Sequence, residues 1–194
     1  MPPDGGVRDR LARSVEFMKT DDARRLAEEC LATSHPDRWR HVQGVAARAI
    51  AVSQSGVDDD PVVSAAWLHD VGYAPRARDS GLHALDGARY LAGLGAPPVV
   101  VSLVAFHTGA EYEAEERGLA GELATVPRPE QRLMDALILC DLTVSPTGSP
   151  VTVSSRLDEI VARYPSSDPV HRAVLRSRAY LEACCERAQS VLSA

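Results

Sequence analysis

Apolar residues in this chain recur mostly at intervals of three and four positions, which is the spacing of one face of a helix. This spacing first appears over residues 7–19 and 21–33, and it predicts two N-terminal helices. A third helix is expected to begin near Pro36, because Ser34 and Asp37 have the spacing of a capping box around it.

Pairs of aspartate and proline mark two further helix starts. Aspartate is a favoured N-cap and proline fits the first helical position, so Asp60-Pro61 and Asp168-Pro169 should each open a helix. The helix before the first pair should stop at Gly56. The remaining predicted helices cover about residues 62–71, 83–94, 154–164 and 169–192, with one more that begins at Pro129 and carries Asp141.

Residues 99–106 are almost wholly apolar and largely β-branched, so periodicity alone does not distinguish a buried helix from a strand. We assign a helix, because no partner strand is visible elsewhere in the sequence. Residues 110–119 are charged and should be exposed. Loops are expected over residues 76–81, 121–129 and 145–150. The predicted fold class is therefore all-α, without an internal repeat.

Composition and charge narrow the class of protein. The 194 residues are 45% apolar and 25% charged, as in ordinary soluble domains, and the net charge is −6. An acidic chain does not attract phosphate backbones or anionic lipid, so we expect neither a nucleic-acid partner nor a membrane partner. The first 20 residues are polar and no apolar run approaches the ~18 needed to cross a bilayer, which predicts a cytoplasmic protein.

The four cysteines form no C-x-x-C pair, which argues against a thiolate zinc site. They are expected to be free thiols in a reducing compartment. They lie at Cys30, Cys140, Cys184 and Cys185.

Several histidines and aspartates occupy positions that suit metal binding. His69 and Asp70 are adjacent at a predicted helix end, where imidazole and carboxylate can turn toward one divalent ion. His107 ends the apolar segment, and His41 lies one turn before an apolar position of its helix. Short motifs of this kind also arise by chance, so the dipeptide alone is weak evidence.

Asp141 lies on the apolar face of its helix, three and four residues after apolar positions. A carboxylate in a core is unfavourable unless it is paired or binds a metal. Two interpretations therefore remain open at this point. Asp141 is either a metal ligand or half of a buried ion pair, with Arg132 or Arg156 as its partner.

The order of these residues resembles the HD-domain superfamily of metal-dependent phosphohydrolases. The local contexts that carry the resemblance are Arg38-Trp39-Arg40-His41, Trp67-Leu68-His69-Asp70-Val71-Gly72, His83-Ala84-Leu85-Asp86-Gly87-Ala88, Phe106-His107-Thr108 and Leu139-Cys140-Asp141. The resemblance covers about residues 38–145. It implies a helical bundle with a metal site at its centre.

The resemblance also implies roles for individual residues. His41, His69, Asp70 and Asp141 would hold one divalent metal. His83 and His107 are typical of members with a second metal, which Asp70 would bridge. Such a ligand set suits iron or manganese and tolerates zinc, cobalt or nickel. The two remaining histidines, His35 and His171, match nothing in the family pattern and are interpreted as surface or capping residues.

One position departs from the family pattern. Many members have lysine after the "HD-x-G" motif, where it can meet a phosphate, and this chain has Tyr73. Arg76 and Arg78 in the following loop could supply that positive charge, or they could simply be solvated. Arg38 is a further candidate, because guanidinium binds phosphate oxygens bidentately.

The predicted domain organisation follows from the resemblance. Residues 1–6 form a flexible tail, and residues 7–194 form a single all-α domain. Within that domain, residues 7–34 are N-terminal helices, residues 35–145 are the HD core and residues 146–194 are C-terminal helices.

The implied activity is hydrolysis of a phosphate ester or phosphoanhydride by a metal-activated hydroxide, with Asp70 as the catalytic residue. The substrate would be a nucleotide or another small phosphorylated metabolite, and the protein a monomer or homodimer. Two alternatives remain. The same ligand set occurs in mixed-valent di-iron oxygenases, which consume oxygen, and a non-catalytic regulatory domain could keep a metal.

Overall fold

Helices and short connections make up the described part of the chain, which is residues 19–53 and 60–193 of this computed structural model. The helices are α1 (Thr20–Leu31), α2 (Pro36–Val52), α3 (Pro61–Leu68), α4 (His83–Gly93), α5 (Pro98–Phe106), α6 (Ala110–Arg117), α7 (Ala120–Leu123), α8 (Gln131–Leu142), α9 (Val153–Arg163) and α10 (Pro169–Leu192). Short 3₁₀ turns cover Val71–Tyr73 and His107–Gly109. The described residues contain no β-strand, so the all-α prediction is confirmed. The helix predicted over 7–19, apart from Lys19, and the helix end predicted at Gly56 lie outside the described residues.

The core forms around α3, whose residues from Val62 to Leu68 are all buried. This helix packs against α1, α2, α5 and α8, so it is apolar on every side. The apolar segment 99–106 is helical, as assigned, because α5 lies between α3 and α4. The C-terminal ends of α3 and α5 therefore meet inside the bundle, and His69 and His107 follow directly from them.

Local capping chemistry determines several helix starts. Asp60 accepts a hydrogen bond from the Val62 amide at 2.8 Å, and Asp168 accepts one from Val170 at 2.8 Å. Both aspartate–proline predictions are confirmed. The capping box predicted at Ser34 is wrong, because its hydroxyl donates to the Cys30 carbonyl at 2.8 Å in the last turn of α1.

Other departures from the predicted pattern come from packing. The helix expected over 62–71 ends at Leu68 and is followed by a 3₁₀ turn. Residues 120–123, in and beside a predicted loop, form one short helix. The exposure predicted for the whole of segment 110–119 is wrong at Glu113 and Ala114, which are buried because α10 packs across α6.

The long C-terminal helix α10 packs on α6, α8 and α9 and so joins the C-terminal part of the chain to the rest of the bundle. All four cysteines are buried and free. None of the described helices has the length and apolar character that a membrane crossing requires.

Candidate metal centre

Six side chains from five segments of the chain meet at the centre of the bundle. They are His41 of α2, His69 and Asp70 after α3, His83 at the start of α4, His107 after α5, and Asp141 near the end of α8. They form two ligand groups, and within each group the ligand atoms lie within 4.8 Å of one another. The first group is His41, His69 and Asp141; the second is Asp70, His83 and His107.

Asp70 lies between the two groups. Its Oδ2 atom is 3.5 Å from Nε2 of His69, and its Oδ1 atom is 3.7 Å from Nε2 of His83. The His69 Nε2 atom is in turn 4.0 Å from Oδ1 of Asp141. A carboxylate with one oxygen toward each group has the position of a bridging ligand.

Gly72 allows the second group to form. A Cβ atom at this position would lie 1.9 Å from the His83 carbonyl oxygen and 2.7 Å from the Gly87 amide nitrogen. Only glycine therefore permits the turn after Asp70 to contact the first turn of α4. This contact accounts for the glycine in the motif, and it sets His83 beside Asp70.

Thr108 links the turn that carries His107 to helix α8, which carries Asp141. Its backbone has φ 47° and ψ 41°, a left-handed conformation that is rare for a β-branched residue. Its hydroxyl donates a hydrogen bond to Oδ2 of Asp141. The strained turn therefore directs His107 and a supporting hydroxyl toward the same centre.

Three histidines have their tautomer set by backbone carbonyls. In each, Nδ1–H donates to a main-chain oxygen, which directs Nε2 into the centre. The pairs are His41 with Ser145 at 3.0 Å, His69 with Ala66 at 2.9 Å, and His107 with Val104 at 2.6 Å.

These Nε2 atoms lie beside other ligand atoms. Nε2 of His41 hydrogen-bonds to Oδ1 of Asp141 at 2.9 Å, and Nε2 of His107 to Nε2 of His83 at 3.1 Å. Nε2 of His69 is buried and has no hydrogen-bond partner among the described residues. A buried polar atom without a partner is unfavourable, and a cation bound at the centre would satisfy it. The nitrogen and carboxylate donors therefore fit a divalent metal.

Electrostatics keeps both carboxylates ionised. Burial would raise the pKa of Asp70, but Arg38, whose Nη1 atom is 3.1 Å from Oδ2, and then His69 lower it. Burial likewise opposes ionisation of Asp141, but its hydrogen bond with His41 holds its pKa well below the usual value. The pKa of His83 is lowered by burial and by His107, which keeps its imidazole neutral and able to bind a metal.

The ion pair considered for Asp141 is absent from the described structure. Arg132 is exposed and pairs with Glu130 at 3.8 Å, while Arg156 pairs with Glu159. Asp141 contacts His41 and Thr108, as described above.

The candidate arginines lie in different places. Arg38 is beside the centre, where its guanidinium stacks on the Tyr73 ring at 4.2 Å. Arg76 donates to the Glu29 carbonyl of α1 at 2.6 Å, and Arg78 is exposed; neither lines the cavity described below. The loop after the 3₁₀ turn runs toward α1, so of the two interpretations of these arginines the described structure favours the one that places them outside the site.

Tyr73 has a structural role in the site. Its ring stacks on the His83 imidazole at 4.3 Å and lies under Arg38. His35 bonds to Ser34 at 2.9 Å and His171 to the Tyr164 carbonyl at 2.9 Å, so neither belongs to the ligand groups.

A cavity of about 90 Å³ adjoins the centre. The metal-binding segments form its inner wall, and α9 and α10 form its outer wall. The outer wall includes Arg156, Ile160, Tyr164, Val170 and Val174.

Among the residues of the outer wall, Arg156 could have been noticed from the sequence. It shares the apolar face of α9 with Leu157 and Ile160, which is the same kind of anomaly that identifies Asp141. The sequence indicates Arg156 only as a possible partner for Asp141, and its place in the cavity wall depends on how α9 packs.

Fold and site together define an all-α protein with a buried histidine and aspartate centre. Residues 38–141 match the HD domain, which is more than half of the chain. The chain therefore belongs to the HD superfamily of metal-dependent phosphohydrolases, whose members bind divalent metals. No curated protein and no solved structure matches it.

Proposed function

We propose that this protein hydrolyses a phosphate ester or phosphoanhydride with the help of two divalent metals, iron or manganese being the best suited. The observation that carries the proposal is the convergence of two buried ligand groups, in which the Nε2 atom of His69 has no hydrogen-bond partner among the described residues. His41, His69 and Asp141 would hold one metal, His83 and His107 the other, and Asp70 would bridge them.

When bound, such metals supply Lewis acidity, which lowers the pKa of water and neutralises phosphate oxygens. The protein's own residues hold the reacting groups in place. Arg38 keeps Asp70 ionised and oriented, and Thr108 holds the Oδ2 atom of Asp141. Helices α9 and α10 complete the wall of the cavity.

Cavity size favours a small substrate. Sites that enclose drug-sized ligands have about 300–1,000 Å³, whereas this cavity has about 90 Å³. It has room for a phosphate group and a few further atoms. A small phosphorylated metabolite would fit within it, and a nucleotide would enter by its phosphate end.

The test combines metal analysis with activity. Added manganese or ferrous iron should raise the melting temperature of the chelator-treated protein, because a ligand that binds only the folded state stabilises it. The metal-loaded protein should release phosphate from members of a panel of phosphomonoesters and nucleotides. No rise in melting temperature with either metal would contradict the metal centre. Oxygen consumption without phosphate release would favour the oxygenase alternative.

Removal of one histidine from the second group should lower the number of bound metals. His83→Ala and His107→Ala should each shift the stoichiometry from two toward one, because the first ligand group keeps its three donors. Elemental analysis of the folded variants measures this ratio. His171→Ala, outside both groups, is the control and should bind two. Unchanged stoichiometry in both site variants would argue against a second metal.

A further inference from the structure

Arg156 is a buried cation in the cavity wall. Its side chain is only 5% exposed, although arginine is rarely buried to this extent without full pairing. It lies in the first turn of α9, outside the segment that matches the HD domain. It therefore belongs to the helices that follow the matched segment.

The hydrogen bonds of this guanidinium are incomplete. Nη1 pairs with Glu159, but the buried Nε–H has no acceptor among the described residues. A buried donor without an acceptor is destabilising, and such groups in folded proteins call for an explanation. Because Arg156 lines the cavity, a bound oxyanion could supply the missing acceptor.

Charge around the guanidinium also favours an anion. Glu159 is shared, since Arg163 pairs with its other oxygen, so two arginines have one carboxylate between them. Both arginines line the cavity, and the three side chains carry a net positive charge. Arg38, on the other side, is already paired with Asp70.

The guanidinium is near the metal ligands as well as in the wall. It lines the same cavity as His41, Asp70 and Asp141. An anion bound by Arg156 would therefore lie within reach of the ligand groups. The Tyr73 ring is occupied by Arg38 and His83.

We propose that Arg156 binds a phosphate oxygen of the substrate through its free Nε–H, and that Arg163 adds charge to the same anion subsite. The subsite is supplied by α9. This proposal rests on the proposed function in one respect: it takes the cavity as the substrate site.

The probe is inorganic phosphate, titrated calorimetrically into the manganese-loaded protein. Arg156→Gln should weaken phosphate binding about 10- to 100-fold, which is the range for loss of a charge-assisted hydrogen bond. Arg156→Lys keeps the charge but loses the planar fork of donors, so its phosphate affinity should lie between that of wild type and that of Arg156→Gln. Manganese binding should not change in either variant.

Glu159→Gln tests the same subsite in the opposite direction. Removal of the shared carboxylate frees Nη1 of Arg156 and raises the local positive charge, so phosphate should bind more tightly than to wild type. Arg178→Gln is the matched control. Arg178 pairs with Asp158 of α9, as Arg156 does with Glu159, but it does not line the cavity.

Wild-type phosphate affinity in folded Arg156→Gln would overturn the proposal. If that variant does not fold, wild-type affinity in both Arg156→Lys and Glu159→Gln would overturn it. Phosphate binding that depends on Arg156 in a protein without phosphatase activity would support the subsite and contradict the hydrolase. Hydrolysis together with wild-type phosphate affinity in Arg156→Gln would support the hydrolase and contradict the subsite.

Discussion

Asp70→Asn should lower phosphate release at least about 100- to 1,000-fold, which is the loss seen when one preorganised electrostatic group is removed from a catalytic site. Asparagine keeps the shape of the side chain, but it loses the charge and one of the two oxygens that lie toward His69 and His83. It also removes the partner of Arg38. Bound metal should fall in parallel with activity.

The control for Asp70→Asn is Asp135→Asn. Asp135 is also a buried aspartate, but it pairs with Arg187 of α10 and lies outside both ligand groups. Its loss should reduce stability and leave the activity per folded molecule near wild type. The assignment of Asp70 would be contradicted if Asp70→Asn kept normal metal content and turnover. Metal analysis and initial rates on both variants give the comparison.

Asp141→Asn should remove most of the stabilisation that metal confers. Metal added at about 100 times the wild-type Kd stabilises the folded protein by about 2.7 kcal/mol, and a variant that no longer binds the metal loses this stabilisation. The metal-free variant should remain folded, because the asparagine side chain would still offer an oxygen to the Thr108 hydroxyl that now bonds to Asp141. Hydrolysis should fall by orders of magnitude in the folded protein.

Melting temperatures with and without manganese measure this effect. If Asp141 were half of an ion pair, the substitution would strongly destabilise the metal-free protein and leave the metal-induced increase unchanged. We expect the opposite pattern, because Arg132 and Arg156 pair with glutamates. A normal increase together with normal turnover would remove Asp141 from the centre.

The fold class and most helix positions could be predicted from the sequence, because they depend on interactions within a few residues. Asp60 and Asp168 cap helices by bonding to amides two residues ahead, so these starts are local. The Ser34 prediction failed because an acceptor in the preceding helix was available to the hydroxyl. The burial of Glu113 depends on α10, which is far away in sequence.

The sequence is sufficient to identify the residue types available for metal chemistry and their order along the chain. It also indicated Asp141, because a carboxylate on an apolar face is anomalous whatever its partner. It did not determine which atoms meet. The His41 tautomer depends on the carbonyl of Ser145, and the Gly72 requirement depends on the backbone of His83.

Which arginines lie beside the centre depends on how the helices pack. Arg38 and Arg156 lie in the cavity wall, while Arg76 bonds to α1. A long flexible side chain in a loop has no local interaction that fixes its direction, so its sequence position carries little information. Helix caps form within one turn and can be predicted from the sequence, but a site assembled from five segments depends on how the helices pack.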